Sequence, residues 1–152
     1  MAGSFDVDIR EIAALATKVA GAQPIVKKNL HKAARAAGFA VQGNAIETAP
    51  VKTGHLKGKI STKPPRQSGI STTVDITSHA DYSAAVHDGR KEVRPASARV
   101  LAWHGKDGMV FSMKSKAVAA NPFMDRGLKS SEGQITMAFD QALANALREM
   151  GL

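Results

Sequence analysis

Between Pro24 and Pro50 the chain carries an apolar period that a helix satisfies. Val26, Leu30, Ala33, Ala37, Val41 and Ala45 recur at spacings of three and four. Proline is tolerated in a first helical turn because the N–H it lacks would have no partner there. Pro50 disfavours helical backbone at the residue before it, so the helix ends at or just before Ala49. The stripe is mostly alanine, so whatever packs on it must come close. Gly38 and Gly43 allow still closer approach, at a cost of about 1 kcal/mol each in helix propensity. Another face presents Lys28, Lys32 and Arg35 at i, i+4 and i+7.

The segments around this helix have different periods. Asp8 followed by Glu11 reads as a capped start to a short N-terminal helix, which Gly21 closes; residues 1–21 are therefore an N-terminal arm or helix. After Pro50 the period becomes two. Leu56, Gly58, Ile60 and Thr62 alternate with Lys57, Lys59, Ser61 and Lys63, and Ile70, Thr72, Val74 and Ile76 alternate with polar residues. Two such runs across a turn-rich loop from Pro64 to Gly69 predict an antiparallel hairpin with one buried face. Asp81 to Gly89 reads as a helical turn closed by Gly89, and Arg90 to Ala98 as a basic loop. Val100–Trp103 and Met109–Ser112 read as two strands joined through Asp107-Gly108, a strong turn dipeptide. Lys114 to Ala120 reads as a further extended piece. Asn121-Pro122 launches a last helix with a broad apolar face (Leu128, Ile135, Phe139, Leu143, Leu147), its first turns loosened around Ser130 to Gly133. The predicted class is α+β: a mostly antiparallel sheet packed by one long central helix and a C-terminal helix, with a short N-terminal helix. Residues 1–152 are read as a single domain.

Composition narrows the function. A chain of 152 residues with 43% hydrophobic residues can bury a real core. It has no run of 18 apolar residues to span a membrane, and its first residues lack the apolar stretch of a secretory signal. The absence of cysteine excludes disulfides, thiolate zinc sites, iron–sulfur clusters and cysteine nucleophiles, and points to a reducing compartment. The net charge of +8 is concentrated: residues 18–66 hold ten lysines and arginines against the single acid Glu47, a net +9. A local basic block suits a polyanion partner, and equally a solvated face.

No reactive centre stands out. Five histidines (His31, His55, His79, His87, His104) are scattered without an HxxxH or HExxH pair, and His79, Asp81 and His87 form the one local cluster. There is no nucleophile elbow and no phosphate-cradling glycine loop. Catalytic residues, metal ligands and cofactors are accordingly expected to be none. A small hydrolase would need converging His, Asp and Glu side chains. Nucleic-acid contact has more support, since Lys52, Lys57, Lys59, Lys63 and Arg66 fall within fifteen residues. With 5% aromatic residues and one tryptophan, Trp103, little is available for base stacking. DNA would therefore be touched through its backbone, without sequence preference. The same lysines would also blunt an exposed strand edge.

Four motifs, in order, resemble those of tailed-phage neck proteins, the minor tail or tail-completion proteins of the head–tail junction. Thr48 to Lys57 resembles the signature A-P-x-x-T-G-x-L. Tyr82 to Gly89 is similar to Y-A-x-x-V-E-x-G, with His87 in place of the usual Glu and Asp88 in place of the usual aromatic. Arg94 through Trp103 with Met109 to Phe111 resembles the two strands that follow, and Asn121 to Met124 the x-P-F-L entry to the closing helix. The resemblance covers residues 25–150. Each motif also has a purely structural reason as a helix stop, turn or packing anchor. The resemblance implies a structural virion protein without catalysis, made in the host cytoplasm and located at the neck. It implies a cyclic homo-oligomer between a connector or head-completion protein and tail terminator or tail tube proteins, with double-stranded DNA in the lumen and no membrane. Lys52, Lys57, Lys59, Lys63 and Arg66 are then candidates for DNA contact. A ring needs two different patches that meet; Tyr82, Val86, His87, Arg94, Arg99 and Met113 are the candidate interface residues. The alternative is a free-standing, nonspecific DNA-binding protein.

Overall fold

The computed structural model describes residues 17–51, 54–69, 71–97 and 99–152. The described residues form two compact units: 17–41 with Thr62–Ile76 and Ser130–Leu152, and Gln42–Ser61 with Thr77–Lys129. The long helix expected from the alanine stripe is α1, Ala22–Thr48. The carbonyl of Ala45 in its last turn is taken up locally, accepting from the Ala49 N–H at 2.9 Å. Residues 17–20 are helical; the rest of the expected N-terminal helix, Asp8 to Ala16, lies outside the described residues.

In the first unit α1 lies beside the C-terminal helix α5, Glu132–Glu149: Lys28 pairs with Glu149 at 3.0 Å, and Ala33 and Ala36 line a cleft with Ala138 and Ala142. Ala33, Ala34, Ala37, Val41, Ala142 and Ala146 are buried, as is Asn29, whose side-chain amide donates to Ile25 O at 3.0 Å. At Gly38 an added Cβ would lie 2.7 Å from Thr62 Cγ2 and from Val74 Cγ1, so the missing side chain lets the segment 62–76 sit on the helix. That segment holds β2 (Arg66–Ser68) and β3 (Ser71–Thr73), antiparallel with Gln67 opposite Thr72.

The hairpin read from period-two alternation is present but built differently. Its turn is at Gly69, where φ is +60, and not spread from Pro64 to Gly69. Pro64-Pro65 instead interrupts the ladder, since neither residue has an N–H to donate. The result is two short ladders in succession, β2–β3 and β1 (Ile60–Thr62) with β4 (Ile76–Ser78). The N–H of Lys63 to Asp75 O, 2.8 Å, bridges the gap. Leu56 to Gly58 is not strand: His55–Gly58 is a single helical turn, α2. Leu56 and Ile60 are both buried. Their spacing of four fits a helical turn as well as it fits alternation, and Gly54, at φ +77, turns the chain into the helix.

The second unit holds α2, the short helix α3 (Ser83–His87), the hairpin β5 (Leu101–Gly105) and β6 (Gly108–Ser112), and most of α4 (Phe123–Ser130). Its buried residues include Ala45, Ala49, Leu56, Ile60, Ala80 and Phe123. Thr48 Oγ1 donates to Phe123 O at 2.8 Å and fixes the entry to α4. The expected single last helix is broken at Ser131 into α4 and α5. The fold is α+β, with the long helix and the C-terminal helix as predicted; among the described residues the strands form three two-stranded sheets.

Candidate functional site

Gly89 closes the Tyr82-to-Gly89 motif for two reasons. Its φ is +78, and an added Cβ would lie 2.8 Å from Ala120 N and 2.9 Å from Val118 O. This close approach brings Arg90 and Val93 into antiparallel bridges with Val118 and Ser115. The Asn121 N–H donates to Val86 O at 3.0 Å. Between these segments lies an apolar pocket of about 500 Å³, lined by Pro50, Val51, Leu56, Tyr82, Val86 and Val118 among others. The phenol of Tyr82 lies 3.4 Å from His55 Nδ1, with the rings stacked at 6.0 Å. Two of the predicted interface residues, Tyr82 and Val86, thus line one cavity.

His87 is placed elsewhere, in a second cavity of about 280 Å³ with Ser78, Phe123 and Asp125. Its Nδ1 lies 2.6 Å from Asp88 Oδ1 and its Nε2 lies 3.6 Å from Asp125 Oδ2; the ring meets Phe123 edge-on at 5.5 Å. His79 of the local cluster faces Thr77 Oγ1 instead. Among the described residues no group of three or more His, Asp and Glu side chains could hold a metal ion. Arg94 joins an exposed network, its Nε 2.9 Å from Glu92, which also meets Lys114 Nζ at 2.9 Å. Lys114 first, and then Arg94, hold the Glu92 carboxyl below its ordinary value. Arg99 is exposed and Met113 is 75% exposed.

The β5–β6 hairpin is the feature that sequence reasoning undervalued. Its register sets Trp103 opposite Val110 and Ala102 opposite Phe111, so both faces carry large apolar side chains. Trp103, Met109, Val110 and Phe111 are all exposed, Phe111 at 63%. An isolated two-stranded ribbon is marginal in water and needs something packed against it. The signal was present as Met109-Val110-Phe111, where apolar residues fall on both faces of a strand instead of alternating. A second exposed apolar row, Phe139, Leu143 and Leu147, runs along α5, whose buried members are the small Ala142 and Ala146.

The predicted basic set divides. Lys52 lies outside the described residues. Lys57, on α2, and Lys59 belong to the second unit; Lys63 and Arg66 belong to the first. Arg66 is already paired with Asp75 across its hairpin. Lys57, Lys59 and Lys63 have no carboxylate partner among the described residues. Lys28, on the helix face singled out from sequence, pairs with Glu149 at 3.0 Å, and its ammonium is the main reason that carboxyl sits below its ordinary value. Arg35, two turns further along the same face, turns instead over the ring of Phe39, 5.6 Å from its centroid.

These features define a chain with basic and apolar surfaces left open. Residues 10–89 match the family HK97-gp10_like, described as "Bacteriophage HK97-gp10, putative tail-component". The chain belongs to this family of phage tail components. The match takes in α1 through α3, with both the Thr48-to-Lys57 and the Tyr82-to-Gly89 motifs, and ends before the β5–β6 hairpin. No curated protein and no solved structure matches the chain. No helix of the described residues is long and apolar enough to cross a membrane.

Proposed function

We propose that this tail component is a structural protein of the head–tail junction that acts as a repeated subunit and not as an enzyme. Copies assemble into a closed ring around the DNA channel, between a connector or head-completion protein and the tail terminator or tail tube. The observation that carries this reading is the β5–β6 hairpin, apolar on both faces and exposed. Exposed apolar surface of this kind marks a contact with another protein. A ring is closed by two different patches, one on each neighbour. The hairpin with Met113 supplies one; the other draws on Tyr82, Val86, His87, Arg94 and Arg99. The family assignment supports a place in the virion. The net +9 of residues 18–66 supports a polyanion passing close by, with Lys52, Lys57, Lys59, Lys63 and Arg66 as its contacts.

Phe111→Glu tests the ring contact. The side chain is exposed, so monomer stability should change by no more than about 0.5 kcal/mol. A buried aromatic anchor in an interface is worth about 2 kcal/mol or more, so the variant should sediment as a monomer where the parent chain, with its connector and tail neighbours present, forms a ring. An unchanged ring in the variant, or a parent chain that stays monomeric beside those neighbours and binds DNA alone, contradicts the reading and favours a free-standing DNA-binding protein.

A further inference from the structure

In the first unit the row His31, Arg35 and Phe39 on successive turns of α1 forms one wall of a cleft of about 310 Å³, and Thr62 to Pro65 form the other. Two features hold the walls in place. Thr62 Oγ1 donates to Gly38 O at 3.1 Å, and Gly38 has no side chain where a Cβ would strike Thr62 and Val74. The Lys63 N–H is tied to Asp75 O at 2.8 Å, which fixes the backbone from which that lysine projects.

The cleft is cationic and left unneutralised. Arg35 and Lys63 have no carboxylate within ion-pair distance among the described residues, and no acid lines the cleft. Neighbouring cations are treated differently: Lys28 is matched by Glu149 and Arg66 by Asp75. Arg35 packs over Phe39, which restricts the guanidinium while leaving its edge donors available. Pro64 and Pro65 present no N–H, so at these two positions the wall offers no main-chain donor to a bound peptide. A phosphodiester backbone needs only positioned cations.

We propose that His31, Arg35 and Lys63 form a seat for the phosphate backbone of a nucleic acid, bound without sequence preference. The proposal rests on the DNA-contacting side of the function above and deepens it. It adds two residues of α1 to the contact set and removes Arg66, whose charge is already taken by Asp75.

The test uses the full chain and a labelled short duplex of random sequence, titrated by fluorescence anisotropy from about 50 to about 200 mM salt. The variant Arg35→Gln with Lys63→Gln is compared with Lys106→Gln and Lys116→Gln, which remove the same charge from elsewhere. Circular dichroism checks that each variant is folded. The cleft variant is expected to bind about tenfold more weakly, with its log–log salt slope shallower by about two, while the control pair loses less than about threefold. Equal losses in the two pairs overturn the cleft assignment but leave DNA contact standing. A parent chain that shows no salt-dependent binding overturns both. Inorganic phosphate that displaces the duplex beyond its effect on ionic strength overturns the proposal in favour of a free-phosphate site. Tighter binding of a labelled oligoglutamate than of the duplex overturns it in favour of an acidic protein partner.

Discussion

Phe123→Ala is expected to destabilise the protein by about 3–5 kcal/mol, the usual loss when a fully buried aromatic is truncated. Phe123 is 1% exposed, and with Ser131 it is one of the largest fully buried side chains. It follows Pro122 at the first turn of α4, its carbonyl accepts from Thr48 Oγ1 at 2.8 Å, and its ring meets His87 edge-on at 5.5 Å. Several constraints converge on one side chain, so its environment cannot simply collapse around an alanine. Against a total stability of about 5–15 kcal/mol the loss is large. Denaturant melts check it: the midpoint should fall with the slope unchanged. A loss under about 1 kcal/mol would mean that the ring is not a packing anchor.

Gly127→Ala comes second, and its sign is the informative part. In the interior of a helix this change ordinarily stabilises by about 0.5–1 kcal/mol. Here an added Cβ would lie 2.6 Å from Ala45 Cα and N and 2.8 Å from Ala45 Cβ. Two of those atoms are main chain, so no rotamer change relieves the contact and the helices must separate. Overpacking of this kind costs about 1–3 kcal/mol, which outweighs the propensity gain and leaves a net destabilisation of up to about 2 kcal/mol. Gly133→Ala, on α5, is the control: nothing lies within 4 Å of its added Cβ, so it should stabilise by about 0.5–1 kcal/mol. Thermal melts of the two variants should therefore move in opposite directions. Two shifts of the same sign would contradict the close approach of Gly127 to Ala45.

How far the sequence reached depends on the range of the forces involved. The long helix was legible because its stripe and its stop, Pro50, are local signals. The class was legible from the mixture of periods. The turn at Gly69 was not, because Pro64-Pro65 looks like a turn and only the cross-strand bond from Lys63 to Asp75 shows the chain continuing through it. Leu56 was misread because a spacing of four serves a helical turn and period-two alternation alike. In the last helix the apolar face was visible, but not that burial would go to Ala142 and Ala146 while Phe139, Leu143 and Leu147 stay exposed. Packing partners decide that, and they lie far along the chain.

The same distinction governs the sites. The basic block could be counted, yet which charges are already matched could not: Arg66 meets Asp75 and Lys28 meets Glu149, the second pair across 121 residues of sequence. Arg35 and Lys63 share a cleft only because Gly38 brings their backbones together. The Tyr82-to-Gly89 motif proved local in origin but split in placement, with Tyr82 and Val86 lining one cavity and His87 another.

A reconstruction of the particle neck tests the central claim most directly. The expected image is a closed ring of this chain around the DNA channel, with each β5–β6 hairpin covered by the neighbouring copy and the Arg35–Lys63 cleft turned toward the DNA. A neck that lacks the chain, or holds it as separated single copies with Trp103 and Phe111 in solvent, would contradict the account.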